Sequence, residues 1–371
     1  MNAKYIGFDI DHKKTVACVV QRDQKDRYAT MKTDLVEMQQ FLQQERQGAA
    51  EVHLTFEISG EAGYRYDALR GLVDTLTVSN PHKMTWIYRT SKKNDRIDCR
   101  KQAVLLSINE VPPVHIPSRQ VRQWRATIQQ RRGIVNRIVS VKNRIRALLK
   151  AHGRTRPLHP GSWWKAANLV WMRQEAKDWA EVTREDLWQV HLTNLLDELK
   201  LLEAQLQKVN QYLDRYLAQH PGGTLLRSIP GVGPRTAEAI LAYTDDVKRF
   251  KRSQQFGAYF GLTPKLDESG SVRRLGHISK EGPAVVRWLL VESVWRAIQK
   301  SPALKAFYER IEGGQKQHKK VAVVATARKL LTIMRAMLQT GELFNEELVS
   351  GKDKAKRETI SPVKNGSVEG N

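Results

Sequence analysis

The chain has 371 residues, of which 41% are hydrophobic, and carries a formal net charge of +23. This length predicts two or three domains of ~150 residues each. The charge exceeds what solubility requires and indicates a polyanionic partner, a nucleic acid or an anionic membrane. A nucleic acid is favoured, because no apolar run approaches the ~20 residues of a spanning helix and the N-terminus lacks a signal-peptide pattern.

The chain contains two cysteines, Cys18 and Cys99. Their separation is not that of a zinc site, and two thiols do not make a disulfide framework. A reducing cytoplasm fits this cysteine usage.

Residues 1–116 alternate strand and helix patterns, which predicts a layered α/β domain. The first two strands form a hairpin through the polar turn 11–14. The strands are predicted at 5–10, 15–20, 52–57 and 76–78, and the helices at about 34–44 and 64–72.

A further helix begins near Asp95 and Asp98, whose spacing of three places both carboxylates on one helix face. Alone, an acidic pair at a helix start is more often a cap or a partner of the helix dipole. Its neighbourhood, however, is basic, as a site for metal and phosphate requires. The flanking basic residues, which are predicted nucleic-acid contacts, are Lys92, Lys93, Arg96 and Arg100.

Two other acids lie on the predicted strands, Asp9 in the first and Glu57 at the end of a later one. Carboxylates from separate elements are what a ribonuclease H-like nuclease brings together on divalent metal ions. Two metals ~3.5–4 Å apart suit phosphodiester chemistry, and Mg²⁺ suits carboxylate sites that keep several waters. Asp11 is the main rival of Asp9, because it lies two residues further along the same strand face.

Residues 117–220 have a different composition, with no Asp or Glu between 111 and 174. Two heptad-like helices, with apolar seams from Ile134 to Leu148 and from Leu195 to Leu213, predict an antiparallel arm formed within the chain or across a dimer. A face of one charge repels itself unless phosphates neutralise it, which favours nucleic-acid contact. A tryptophan-rich insert between the helices is more often a small core than a base-stacking surface. The predicted contacts on the basic helix are Arg131, Arg132, Arg137, Arg144 and Arg146.

Residues 221–344 contain a glycine-bounded turn between two helices, at 229–233. It resembles a helix-hairpin-helix element, whose backbone N–H groups at Gly231 and Gly233 would hold a phosphate. Glycine pairs of this kind also serve plain tight turns. Residues 345–371 are polar and are predicted to be disordered.

Ser269 lies in a Ser-Gly-Ser stretch that is predicted to be a flexible loop, and Ser271 is its close rival. A hydroxyl nucleophile needs activation and charge stabilisation. By residue type alone, a loop serine is more often a turn former. The basic residues that follow, and that would contact phosphate, are Arg273, Arg274 and Lys280.

Five blocks, at 7–9, 56–60, 94–98, 229–233 and 261–276, resemble in this order the DEDD transposases of the insertion sequence 110 family, relatives of Piv-type DNA invertases. The resemblance implies a RuvC-like, ribonuclease H-type N-terminal domain, an antiparallel coiled-coil arm, and a mainly helical C-terminal transposase domain with a helix-hairpin-helix element and a serine loop. The DEDD acids fall on Asp9, Glu57, Asp95 and Asp98, and the nucleophile falls on Ser269. Asp267 and Glu268 directly precede that serine, which is unexpected in a loop that approaches phosphate.

The resemblance further implies a Mg²⁺-dependent recombinase that cuts and rejoins double-stranded DNA through a phosphoserine link. A noncoding bridge RNA would guide it to the element ends and the target. A homodimer or homotetramer in the bacterial cytoplasm, associated with the nucleoid, is expected. The sequence leaves open a Holliday-junction-type metal nuclease that uses water, and a non-catalytic RNA-binding coiled-coil protein.

Overall fold

The computed structural model describes residues 2–84, 94–269 and 272–349, without the side chains of 266–269 and 272–275. The chain divides into two compact units, one up to Gln120 and one from Val121 onward. No helix in the described ranges is long and apolar enough to cross a membrane.

The N-terminal unit is built on a five-stranded mixed sheet with the strand order β3-β2-β1-β4-β5. The first three strands form an antiparallel meander, and β4 and β5 run parallel to β1. The edge strand β3 was missed by the sequence analysis, because most of its side chains are exposed and it lacks an apolar run. The strands are β1 (Ala3–Ile10), β2 (Lys14–Gln21), β3 (Arg27–Lys32), β4 (Glu51–Glu57) and β5 (Thr75–Ser79).

Helices cover both faces of this sheet. Phe8 and Phe56 point to one face, where they pack in a core with residues of α1 (Leu35–Arg46) and α2 (Ala62–Leu69). The opposite face is covered by α3 (Asp95–Ser107), which buries Cys99 and Ala103 against β2. The predicted α/β domain is thus present as a mixed sheet between helices, a fold compatible with a DEDD nuclease-like domain.

Helix α3 approaches β1 most closely at Gly7. A Cβ at this position would lie 2.2 Å from the backbone oxygen of Cys99 and 2.8 Å from the backbone nitrogen of Ala103. Both distances are shorter than any ordinary contact of a Cβ atom, so only glycine allows the helix backbone to rest directly on the strand.

The second unit is mainly helical, with one two-stranded antiparallel hairpin. Most of its helices surround one large apolar core, which includes Phe256, Phe260, Leu290 and Leu330. Its helices are α4 (Arg119–Ala151), α5 (Ala166–Glu175), α6 (Leu187–Gln219), α7 (Pro221–Arg227), α8 (Pro234–Thr244), α9 (Ser253–Tyr259), α10 (Ala284–Lys300), α11 (Pro302–Glu312) and α12 (Lys319–Thr340), and its strands are β6 (Pro264–Ser269) and β7 (Val272–Ile278).

Helices α4 and α6 pack against each other in opposite directions within one chain. The predicted seam is buried along both helices, for example at Ile138, Ile145, Leu195 and Leu202. Three of the four tryptophans of the insert join this core as expected, whereas Trp179 is exposed. The first part of α4 and the last part of α6 pack instead in the large helical core.

The stretch predicted as a flexible serine loop is flanked by two strands, and Ser269 belongs to the first of them. Residues 264–269 and 272–278 form the hairpin β6–β7, in which Ser269 pairs with Val272 at the turn end. The serine and glycine residues suggested a longer loop, because the residues on either side of them show little apolar alternation.

Glu238 of α8 is the most deeply buried carboxyl group among the described residues, with 1% of its surface exposed. Burial raises its pKa to about 7, and the positive charges of Arg235 and Arg131 partly oppose this rise. The folded protein therefore holds a proton on Glu238 at pH values where the unfolded chain has released it.

We expect Gly7→Ala to destabilise the N-terminal unit by at least ~2–3 kcal/mol, because the added methyl overlaps the backbone of α3. Chemical unfolding measures this loss. Gly71→Ala is the matched control, since a Cβ there meets nothing within 4 Å. A loss of stability of the same size in both variants would contradict the proposed close approach.

We expect the unfolding free energy to fall as pH rises from about 4.5 to about 7, because the pKa of Glu238 is raised on folding. Glu238→Gln should remove this component, on the order of 3 kcal/mol between pH 4.5 and 8. Urea unfolding at both pH values tests the difference. The exposed Glu309→Gln controls for loss of a carboxylate, and the same slope in wild type and Glu238→Gln would refute the assignment.

Candidate active site

Asp9 and Glu57 lie at the carboxyl ends of neighbouring parallel strands. The register pairs Phe8 of β1 with Phe56 of β4, so the two acids occupy the next positions along each strand. Since successive strand residues point to opposite faces, both acids lie on the face covered by α3. Both are partly exposed, as a site that admits an ion or a phosphate requires.

Helix α3 brings its first turn to the same face. Its N-cap is Asn94, whose Oδ1 accepts the backbone N–H of Arg96 at 3.0 Å. Capping is therefore performed by Asn94, while Asp95 and Asp98 in the first turn keep partly exposed side chains. Capping alone does not explain these two acids.

A lysine lies among the acids. The Nζ of Lys14, the first residue of β2, is 2.7 Å from Oδ2 of Asp95. The hydrogen bond and the charge of Asp95 raise the pKa of Lys14, and the charges of Asp11 and Asp9 add to the increase. Asp9 and Asp95 therefore act on the same ammonium group, although they come from a strand and a helix far apart in sequence.

Gln102 is a further site residue, which the sequence analysis missed. Its Nε2 lies 3.5 Å from Oε1 of Glu57, and its own buried Oε1 has no hydrogen-bond partner. The available signal was its spacing of four from Asp98, which places both side chains on one face of α3. An amide at this position is within reach of the Glu57 carboxylate as a hydrogen-bond donor.

Two buried thiols lie under the same helix. Cys18 and Cys99 are free cysteines and fully buried between β2 and α3. The hydrogen bond with Cys18, together with burial and the charge of Asp9, raises the pKa of Cys99. The same hydrogen bond lowers the pKa of Cys18, so it acts in opposite directions on the two thiols, which pack beside the acids under α3.

The donor chemistry of the four acids fits a hard divalent cation, since all are carboxylates. Within the parts of the chain that the structure describes, however, no three His, Cys, Asp or Glu side chains are close enough to hold a metal ion. The structure thus brings Asp9, Glu57, Asp95 and Asp98 to one face and one end of the sheet without assembling them into a metal cage.

Of the four basic residues near α3 that are predicted to contact nucleic acid, the structure describes two, Arg96 and Arg100. Arg96 lies over the ring of Tyr28 at 5.6 Å, and the Nε of Arg100 is 2.5 Å from Oδ2 of Asp26. Lys92 and Lys93 lie outside the described residues. The predicted phosphate contacts of all four remain predictions.

The basic face of α4 is partly neutralised by α6, contrary to the premise that phosphates must do so. Arg137 and Arg144 lie 3.8 and 3.4 Å from the carboxylate of Glu198, and Lys142 lies 3.0 Å from Glu203. Arg146 is hydrogen-bonded to the side chain of Asn143 in its own helix. These contacts leave nucleic-acid binding by this face a prediction.

The helical turn at 229–233 joins α7 to α8, as predicted. Gly231 has a φ of +84°, and a Cβ there would lie 2.5 Å from the backbone nitrogen of Ala297 in α10. Packing against α10 thus explains this glycine. Gly233 precedes α8 as its N-cap and has open space around it, so of the two it is the better placed for the predicted phosphate contact.

The serine region is described only in part. Backbone pairing places Glu268 opposite Arg273 and Asp267 opposite Arg274. The side chains of Ser269, Arg273 and Arg274 lie outside the described part, as does all of Ser271. The following basic residue, Lys280, is exposed in a turn with a φ of +56°.

Fold and site together define a two-unit protein, in which an α/β unit with acids at one end of its sheet is followed by a basic helical unit. The family model for DEDD transposases of insertion sequence IS110 matches residues 6–153. The model for the transposase IS116/IS110/IS902 family matches residues 223–309. The chain belongs to the IS110 family of DEDD transposases. Transposases of this family are enzymes of DNA recombination.

Named relatives agree with this assignment. A protein of Pseudomonas aeruginosa named "Probable family 20 transposase" is 33% identical over 150 residues, which cover 40% of this chain and 44% of the relative. The transposase for insertion sequence element IS1111A of Coxiella burnetii is 27% identical, with 78% and 79% covered. The pilin gene-inverting protein of Moraxella lacunata is 30% identical, with 34% and 39% covered. The alignment thus spans less than half of two of these relatives.

We expect Asp9→Asn to weaken Mn²⁺ binding ~10-fold or more, because this carboxylate faces α3 beside Glu57. Asp11→Asn is the matched variant, since Asp11 lies in the exposed turn after β1, and should change the affinity less than ~3-fold. Titration calorimetry or electron paramagnetic resonance measures both. A larger loss in Asp11→Asn would assign the first metal ligand to Asp11.

Proposed function

We propose that this protein is a transposase that cuts and rejoins double-stranded DNA at the ends of an insertion element and at a target. The observation that supports this most strongly is the convergence of Asp9, Glu57 and the first turn of α3 on one face of the sheet, within the segment 6–153 that matches the DEDD transposase family. A protein that only bound nucleic acid would not need carboxylates at this edge, since they repel phosphate.

Asp9, Glu57, Asp95 and Asp98 would hold divalent cations, with Mg²⁺ as the physiological ion. Bound there, Mg²⁺ would polarise the phosphate under attack and neutralise developing charge. Gln102 orients Glu57 through its amide. Lys14 supplies positive charge beside Asp95 and must move aside or share that carboxylate when a cation binds.

Ser269 is the proposed nucleophile. Its Oγ attacks a DNA phosphorus, a new P–Oγ bond forms, and the bond between phosphorus and the leaving deoxyribose oxygen breaks. The serine proton passes to a general base, and the leaving oxygen takes up a proton. Attack by another strand's hydroxyl reverses the step, so the phosphodiester bond energy is retained and no nucleoside triphosphate is required.

The position of Ser269 in the hairpin supports this role. It is the last residue of β6, and the backbone of Arg273 lies opposite Glu268, one residue away from it. A hairpin end presents a hydroxyl more rigidly than a free loop does. Arg273 and Arg274 are the proposed stabilisers of charge on the attacked phosphate.

We extend the proposal to a noncoding guide RNA and to a homodimer or homotetramer. The net charge of +23 suits a protein that neutralises more than one nucleic acid. The long basic helix α4, stiffened by its packing on α6, carries arginines along its whole length. Arg132, Arg137, Arg144 and Arg146 are its proposed contacts.

We expect the protein to form a covalent adduct with a nicked DNA substrate in the presence of its guide RNA and Mg²⁺. Ser269→Ala should reduce the protein-linked band by roughly 10³-fold or more, because no other group replaces the attacking oxygen. Ser271→Ala, which removes a hydroxyl two residues away, should retain the band. Denaturing gel electrophoresis resolves the products.

Two outcomes would overturn parts of this proposal. Free cleaved ends in both wild type and Ser269→Ala would assign the protein to nucleases that use water, as Holliday-junction resolvases do. Nucleic-acid binding with a steep salt dependence but no chemistry with any metal would assign it to non-catalytic RNA-binding proteins. Asp95→Ala should abolish the band while leaving RNA binding intact.

A further inference from the structure

The helical unit contains a cavity of about 230 Å³ that lies between α4, α8 and α10. Its walls are apolar on several sides, and its polar lining comes from three arginines, one asparagine and one buried carboxyl group. This volume is below the ~300–1,000 Å³ of sites for drug-sized ligands, and it suits one flat ring system. The residues that the argument uses are Arg131, Arg132, Arg235, Glu238, Val139 and Trp288.

The polar groups of this cavity are incompletely satisfied. The Nη1 of Arg235 lies 3.1 Å from Oε2 of Glu238, close enough for an ion pair, yet both atoms are buried without a hydrogen bond of acceptable geometry. Buried polar atoms are nearly always hydrogen-bonded in native proteins, and an exception calls for a water, an ion or a ligand. Glu238 is 1% exposed and is one of the residues that line the cavity.

The charges favour an anion as part of the ligand. Arg131, which is hydrogen-bonded to the neutral side chain of Asn210, and Arg132 add to the charge of Arg235. Glu238 and Asp214, the partners of Arg235, supply two negative charges at most. Burial lowers the pKa of both Arg131 and Arg235, which means that solvent stabilises these cations poorly. A phosphate would supply the missing countercharge.

The mouth of the cavity carries a stacking surface. Trp288 of α10 is 48% exposed although it is large and apolar. The guanidinium of Arg132 lies 5.7 Å from the centre of its ring. Indole rings and guanidinium planes are the two surfaces on which proteins stack unpaired bases.

We propose that this cavity receives a single guanine nucleotide extruded from a nucleic-acid strand, with its base on Trp288, its donor edge on Glu238 and its phosphate on the arginines. Guanine is chosen because its N1–H and its amino group donate two parallel hydrogen bonds to an ionised carboxylate, the form that Glu238 takes above its raised pKa of about 7. Adenine and cytosine cannot offer that pair. The inference rests on the nucleic-acid partner proposed above and adds to it a defined contact.

The test uses the full chain and a labelled hairpin oligonucleotide with one bulged guanosine, prepared as RNA and as DNA. The comparison probes carry an abasic site or a bulged adenosine at that position. In fluorescence anisotropy, wild type should bind the bulged-guanosine hairpin roughly 10-fold tighter than the abasic one on RNA or DNA, as stacking of one base provides.

Two variants assign the contact. Trp288→Leu should abolish the preference over the abasic probe, whereas Trp295→Leu, at a 41% exposed tryptophan of the same helix that does not line the cavity, should keep it. Glu238→Gln should bind the guanosine and adenosine probes alike, because the amide no longer accepts both donors. Thermal unfolding confirms that each variant is folded.

The inference is wrong if wild type binds guanosine and abasic probes equally on both backbones, or if Trp288→Leu keeps the preference. Free GMP that binds more tightly than the bulged hairpin would also overturn it, since the site would then serve a soluble nucleotide. Recombination is scored separately. A protein that recognises the bulge but forms no covalent adduct contradicts the proposed transposase chemistry and leaves the cavity assignment intact.

Discussion

The close approach of α3 to β1 determines where the candidate catalytic acids lie. At Gly7 the helix backbone rests on the strand without an intervening side chain, so the helix cannot slide or lift without losing this contact. The first turn of α3, with Asp95 and Asp98, is thereby held at the end of the strand that carries Asp9. The glycine at position 7 thus fixes the distance between the strand that carries Asp9 and the helix turn that carries Asp95 and Asp98.

The sequence predicts those parts of this arrangement that follow from residue patterns within one element. It does not predict those that depend on packing between elements. The hairpin β1–β2 and the strand β4 are predicted by the sequence, because a run of apolar residues with an acid in it or at its end can be identified without knowledge of the fold. Gln102 was not, because an amide on an amphipathic helix acquires meaning only when the strand beneath it is known. Glu238 was missed for a related reason, since a glutamate in a helix is normally a surface residue and only the packing of α4 and α10 buries it.

The basic helix shows why charge counted along a chain overstates the charge available to a partner. The acids that neutralise Arg137, Arg144 and Lys142 come from α6, more than fifty residues later in the sequence. The arginines at the cavity, Arg131 and Arg132, face apolar walls and a single carboxyl instead. The same helix therefore pairs some of its arginines with acids of α6 and places others at the cavity near α8, where carboxylates balance the positive charge only in part.

The thiols of Cys18 and Cys99 give the N-terminal unit a built-in chemical reporter. Both are sealed between the sheet and α3, so a thiol reagent reaches them only when the helix detaches from the strand. When the helix closes faster than the reagent reacts, their modification rate under native conditions equals the fraction of molecules in the open state multiplied by the intrinsic labelling rate, as in amide exchange. Any ligand that holds α3 against the strand ends would slow the labelling of the two thiols. The labelling rate therefore reports how firmly α3 is held at the candidate site.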